Sequence, residues 1–221
     1  MVDTGLIEKI CSKDKLAISR TITKIELANS NSIEILKELH KKTGKSYRIG
    51  ITGPPGAGKS SLTNQLTKLY RKKGFTVGII AVDPTSPFTG GALLGDRVRM
   101  SEIGNDAGVF IRSMATRGSL GGLSSKTQDA ADVLDAAGFD FIIFETVGVG
   151  QSELDIVKIA DTTIVVLVPE SGDSIQAMKA GLMEIADIFV LNKSDRPGAD
   201  NVMTSLKTMI YLKDHTTEDW L

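Results

Sequence analysis

Residues 53–60 read GPPGAGKS, a glycine-rich run closed by a lysine and a serine. The spacing matches G-x-x-x-x-G-K-[ST], and the chemistry it suits is the cradling of phosphate. With few large side chains in the way, backbone N–H groups from Gly56 to Ser60 can wrap an anion at close range. A helix beginning near Lys59 adds the positive end of its dipole. Lys59 offers an ammonium to the terminal phosphates, and Ser60 a hydroxyl to Mg²⁺. The candidate phosphate-binding set is Gly53, Pro54, Pro55, Gly56, Ala57, Gly58, Lys59, Ser60 and Ser61.

A second polar group, NKSD at 192–195, closes the apolar run FVL far downstream. The Asp195 carboxylate can accept from the ring N1–H and the exocyclic amine of guanine, a donor pair that adenine does not present. The Lys193 stem can cover the base plane while Asn192 braces the loop. As an isolated tetrapeptide this would be only a polar turn. At the end of a strand and downstream of a phosphate loop, it points to guanine. The implied ligands are GTP or GDP with Mg²⁺.

Three carboxylates are candidates for work near the γ-phosphate. Asp83 closes the run FTVGIIAV, Asp96 lies in GGALLGDRVRM, and Glu145 closes FDFIIF. Each can hold Mg²⁺ with Ser60, directly or through water, or orient the attacking water; each also reads as a turn or capping acid. Glu145 begins ETVG, where many GTPases carry D-x-x-G, and the Gly148 N–H can meet the γ-phosphate and swing away when it leaves. Ras-like enzymes place glutamine after that glycine, and here Val149 follows. The water must then be positioned by another group, with Asp83, Glu145 and Gln151 as candidates, or by a partner. Slow intrinsic hydrolysis is the expectation.

These groups need a scaffold that delivers them to one edge. From Tyr47 onward, short and nearly continuous Val/Ile-rich runs recur: YRIGIT, FTVGIIAV, GVFIRSM, FDFIIFE, TTIVVLV and ADIFVLN. Such runs read as strands buried on both faces of a parallel sheet. Helical stretches separate them, among them KSSLTNQLTKLYRKKG, TQDAADVLDAAG, ELDIVKIA and IQAMKAGLMEIA, and another runs from about Asp200 to Leu212. The predicted fold is α/β, a doubly wound and mostly parallel sheet of the P-loop NTPase type. Ligands bind such sheets at the carboxyl ends of the strands, where Asp83, Glu145 and Lys59 fall.

Before residue 46 the pattern is helical. Leu6, Ile7, Ile10, Ala17, Ile18 and Ile22 recur at helical spacing, and SIEILKELHKK predicts another helix with Gly44 as its C-cap. The predicted organisation is an N-terminal helical extension over 1–45 and a P-loop domain over 46–221. Composition narrows the alternatives. Lysine and arginine total 26 against 27 acidic residues, so no global charge draws the chain to nucleic acid or an acidic membrane. A single cysteine excludes an internal disulfide, and with two histidines it leaves few soft metal ligands. The N-terminal residues lack a signal peptide's pattern and no apolar run has spanning length, so a cytoplasmic location is expected.

Several longer strings carry a resemblance: GITGPPGAGKSS, AVDPTSPFTGGALLGDRVRM, RSMATRGSLGGLS, AAGFDFIIFETVGVGQSE and GDSIQAMKAGLMEIADIFVLNKSDRPGAD. In this order they resemble the methylmalonyl-CoA mutase-associated GTPases of the MeaB/ArgK type, relatives of signal-recognition-particle and nickel-chaperone GTPases. The resemblance implies that Lys59 and Ser60 serve the phosphates and Mg²⁺. It implies a first switch from Asp83 to Arg99, with Asp83 and Asp96 as its acids, and a second from Glu145 to Glu153. It further implies an additional switch in ESGDSIQAMK, with Lys179 as its notable residue, and Asn192 and Asp195 as guanine readers.

The implied work is that of a GTP-hydrolysing chaperone of an adenosylcobalamin-dependent acyl-CoA mutase, gating cofactor loading and protecting the enzyme. Family members continue beyond this length with another strand and with helices that help form a homodimer, so a C-terminally incomplete domain is expected. Two other readings stand beside it. One is a nucleotide-binding interaction module with little hydrolysis. The other is a small-molecule kinase of the arginine/ornithine transport type, for which no separate amino-acid site is identifiable. A nickel-chaperone role suits the fold but not the ligand inventory.

Overall fold

The computed structural model describes residues 4–29, 31–83, 101–115, 125–146, 152–171 and 180–216. Six strands form one sheet: β1 (Tyr47–Thr52), β2 (Val77–Asp83), β3 (Val109–Ala115), β4 (Phe141–Thr146), β5 (Thr162–Leu167) and β6 (Ile188–Leu191). Their order is β3-β2-β4-β1-β5-β6, and every pairing is parallel. The continuous apolar runs follow from this arrangement, since the four inner strands are covered on both sides. In β4, five of six residues are buried.

The helices are α1 (Thr4–Cys11), α2 (Lys15–Glu26), α3 (Ser32–His40), α4 (Lys59–Lys72), α5 (Ser101–Gly104), α6 (Ser125–Ala136), α7 (Ser152–Asp155), α8 (Ala180–Ile185) and α9 (Ala199–Thr216). Two differences from the sequence reading concern helix ends. The stretch ELDIVKIA yields only the single turn of α7, followed by a 3₁₀ turn at Ile156–Lys158. Ile156 is fully buried against Gly50 of β1, where a glycine Cβ would lie 2.8 Å from its side chain, so the chain hugs the sheet. Helix α3 ends at His40 with Lys41 as its cap, rather than at Gly44. Gly44, at φ +90°, turns the following segment so that the N–H groups of Gly44, Lys45 and Ser46 all donate to Asp135.

One face of the sheet packs on α4 through Ile49, Ile51, Ile79, Ile143 and Val166, against Leu62, Leu66 and Tyr70. The other face packs on α6 and on the N-terminal helices. Ile10, Ile18, Ile22, Ile25 and Leu39 join Phe110, Leu134, Phe139 and Phe144 in a single apolar cluster. The helices within 1–45 thus form a layer of the same core as the sheet. Asp14 starts α2 by accepting from the Ala17 N–H at 2.7 Å. Polar ties then fix the layer's position: Lys15 Nζ donates to the Asp106 carbonyl, Lys13 Nζ to Thr76, and Arg112 of β3 to Thr23 and Glu26 of α2. Among the described residues, no helix is long and apolar enough to cross a membrane.

Candidate functional site

β1 delivers its fully buried last residue, Thr52, to the glycine-rich loop. Gly53 follows at φ +137°, and a Cβ there would lie 2.1 Å from the Val166 carbonyl oxygen. The loop's root is pressed against β5, and only glycine fits. At the loop's other end Gly58 begins α4 in the left-handed region, with room for no Cβ beside the Asn192 amide. Lys59 is 6% exposed and reaches back over the loop, its Nζ donating to the Gly53 and Pro54 carbonyls at 2.7 and 2.9 Å. Ala57 is buried in the apolar core beneath, while Pro55, Gly56 and Ser61 are exposed.

Ser60, in the first turn of α4, donates its hydroxyl to the Glu145 carboxylate. Glu145 is 4% exposed and sits one residue from the end of β4, between Ile51 of β1 and Ala81 of β2. A carboxylate so removed from water requires a partner of this kind. A hydroxyl and a carboxylate held together are hard oxygen donors that suit Mg²⁺. Asp83 ends β2 at the same carboxyl edge, level with Ala115 of β3. Among the described residues no group of three or more His, Cys, Asp or Glu gathers as a metal centre. The expected positions Asp96, Gly148, Gln151 and Lys179 lie outside the described residues.

The candidate base-reading segment follows β6 and is bonded directly to the glycine-rich loop. The Asn192 N–H donates to the Leu167 carbonyl, and its side-chain amide donates to the Ala57 carbonyl, each at 2.8 Å. Lys193, at φ +55°, extends its ammonium to the Gly56 carbonyl at 2.9 Å. Asp195 stands exposed in the turn beyond. Arg196, one residue past the NKSD tetrapeptide, pairs with Glu170 after β5. That contact holds the Glu170 carboxyl below its ordinary range. The loops after β5 and β6 are thereby joined over the same edge as the phosphate loop. Only the abundance of charge around DRPG could have signalled it.

The opposite edge of the sheet carries a different polar group. A recess of about 450 Å³ lies among Arg48, Asp132, Asp135 and Asp161. Its charges are engaged internally: Arg48 pairs with Asp132 and Asp135, and Asp161 accepts from the Arg48 N–H. Burial pushes the Asp135 carboxyl up, but three backbone N–H donors and Arg48 outweigh it and hold the group below its ordinary range. This is a structural joint between α3, β1 and α6.

A parallel sheet and a glycine-rich loop entering α4, with an N-K-x-D segment bonded to that loop, together define an α/β domain of the P-loop class. Comparison with known proteins narrows the class. The family model described as methylmalonyl Co-A mutase-associated GTPase MeaB matches residues 18–221, and the chain belongs to that family. A relative from Pyrococcus abyssi is 57% identical over 213 residues, covering 96% of this chain and 65% of its own length. The GTPase ArgK of Escherichia coli is 37% identical over 200 residues, covering 89% of this chain and 60% of that protein. A crystal structure described as an LAO/AO transport system kinase superposes with a TM-score of 0.74 at 27% identity, covering 97% of this chain and 65% of that one. The chain therefore spans less than two thirds of the length of these relatives.

Proposed function

We propose that this chain binds GTP and GDP with Mg²⁺, hydrolyses GTP slowly, and serves as a nucleotide-gated chaperone of an adenosylcobalamin-dependent acyl-CoA mutase. The observation that carries the nucleotide reading is the bonding of Asn192 and Lys193 to the Ala57 and Gly56 carbonyls. It ties the base-reading segment to the phosphate cradle, so one ligand can span both. Asp195 then faces the guanine edge, Lys59 and the loop N–H groups hold the phosphates, and Ser60 and Glu145 hold the metal. A Mg²⁺ held by Ser60 and Glu145 would supply positive charge beside the terminal phosphates.

The mutase role rests on family membership, since the matching family model is described by its association with methylmalonyl-CoA mutase. Phosphate release from GTP, measured with and without such a mutase, tests it. Stimulated release and a stable complex are expected; no stimulation together with no complex would overturn the role. Val149 in the place of a water-positioning glutamine favours a second reading, a nucleotide-responsive binding module. Under that reading GDP and GTP bind while single-turnover hydrolysis stays at background. Transfer of phosphate from GTP to an amino acid, rather than to water, would instead support a kinase.

A further inference from the structure

The ladders around β1 and β4 stop at different heights. β2 pairs with β4 as far as Val82 opposite Thr146, and β1 pairs with β5 as far as Thr52 opposite Val165. Between them, the β1–β4 ladder ends one rung lower, at Ile51 opposite Glu145. At the height where that rung is missing, the Thr146 hydroxyl bonds to the Thr52 hydroxyl at 3.0 Å. Both residues are fully buried.

The place of this bond matters because of what each threonine precedes or follows. Thr52 directly precedes Gly53 and the phosphate loop that leads to Ser60. Thr146 directly follows Glu145. Side chains alternate along a strand, so the hydroxyl pair lies on the sheet face away from the Glu145 carboxylate. On the near face, Ser60 and Glu145 are bonded to each other. The strand ends joined by the hydroxyl bond thus lead directly to Glu145 on one side and, through the glycine-rich loop, to Ser60 on the other.

We infer that Thr52 and Thr146 are a positioning pair that fixes the Ser60–Glu145 donor set for a divalent cation. The inference rests on the guanine-nucleotide reading for its ligand, but part of its test needs no ligand. In nucleotide-free chain, urea unfolding of Thr146→Val, Ser60→Ala and the double variant should be non-additive, because the hydroxyl pair and the Ser60–Glu145 bond share one strand spacing. Strict additivity overturns the inference whatever the nucleotide result.

With bound fluorescent N-methylanthraniloyl-GDP, Mg²⁺ titration should show half-saturation raised about tenfold by Thr52→Val or Thr146→Val, the scale of one lost buried hydrogen bond. GDP affinity in EDTA should stay within about twofold, and Thr146→Ser should restore the wild-type Mg²⁺ response by keeping the hydroxyl. The Thr52→Val/Thr146→Val double variant should match either single one, since both remove the same bond. Unchanged Mg²⁺ half-saturation, or metal-free GDP affinity falling in the same proportion, overturns the inference. If Thr146→Val does not fold, Thr52→Val with Thr52→Ser as its rescue carries both arms. Failure of the wild-type chain to bind GDP overturns the nucleotide reading, and the unfolding cycle still decides the positioning role.

Discussion

Gly53→Ala offers a severe test of how the phosphate loop is rooted. At φ +137° an alanine is forced into backbone space that L-residues rarely enter, costing about 1–3 kcal/mol. The new methyl would also meet the Val166 carbonyl oxygen at 2.1 Å. That oxygen belongs to backbone within β5 and cannot rotate aside, so the strands must part, at a further ~1–3 kcal/mol. The sum, about 4 kcal/mol, is a large share of the ~5–15 kcal/mol that holds a typical domain together. Urea unfolding followed by far-ultraviolet circular dichroism measures it. Gly74→Ala is the internal control, because Gly74 has φ +89° but nothing within 4 Å of its added Cβ. That variant should lose only about 1 kcal/mol. A Gly53→Ala loss no larger than that of Gly74→Ala would refute the claim that the loop is clamped against β5.

Other perturbations reach the site and its support. Asn192→Ala removes the brace on the Ala57 carbonyl and should weaken GDP about three- to tenfold by isothermal titration, with unchanged affinity refuting the brace. Asp195→Asn should lower the preference for guanine over xanthine nucleotides by about tenfold or more, because an amide meets xanthine's exchanged donor pattern better; competition binding with GDP and XDP checks this. Asp135→Asn weakens the anchor that receives three backbone N–H groups and Arg48, at about 3 kcal/mol near neutral pH. Since the folded carboxyl lies below its ordinary value, its stabilisation is complete above that value and fades as pH falls through the lowered one. The stability gap between wild type and Asp135→Asn should therefore narrow below about pH 4, and a gap constant down to about pH 2 would contradict it.

The strands were readable because burial on both faces leaves little room for polar residues, which is why YRIGIT, FDFIIFE and TTIVVLV stood out. Their order across the sheet was not, since parallel crossovers leave no local mark on the residues they join. The isoleucines of α1 and α2 announced amphipathic helices. That their apolar face meets Phe110, Phe139 and Phe144 depends on contacts far apart in sequence. The glycine-rich loop was legible from spacing alone, because Gly53 and Gly58 answer a steric demand of the loop itself. Asp135 was not. It shares a three-residue spacing with Asp129 and Asp132 on α6, and only the fold shows which of them receives the Gly44–Ser46 backbone. The pairing of Thr52 with Thr146 was equally illegible, because it needs β1 and β4 to be neighbours.

The central claim is that one guanine nucleotide spans the loop at 53–61 and the segment at 192–195. Its most direct test is isothermal titration of this chain, with Mg²⁺, against GDP and ADP in parallel, repeated for Lys59→Ala. GDP should bind at least about tenfold more tightly than ADP, a difference of ~1.4 kcal/mol, and Lys59→Ala should weaken it. Equal affinity for the two bases, or GDP binding untouched by loss of Lys59, would contradict the claim.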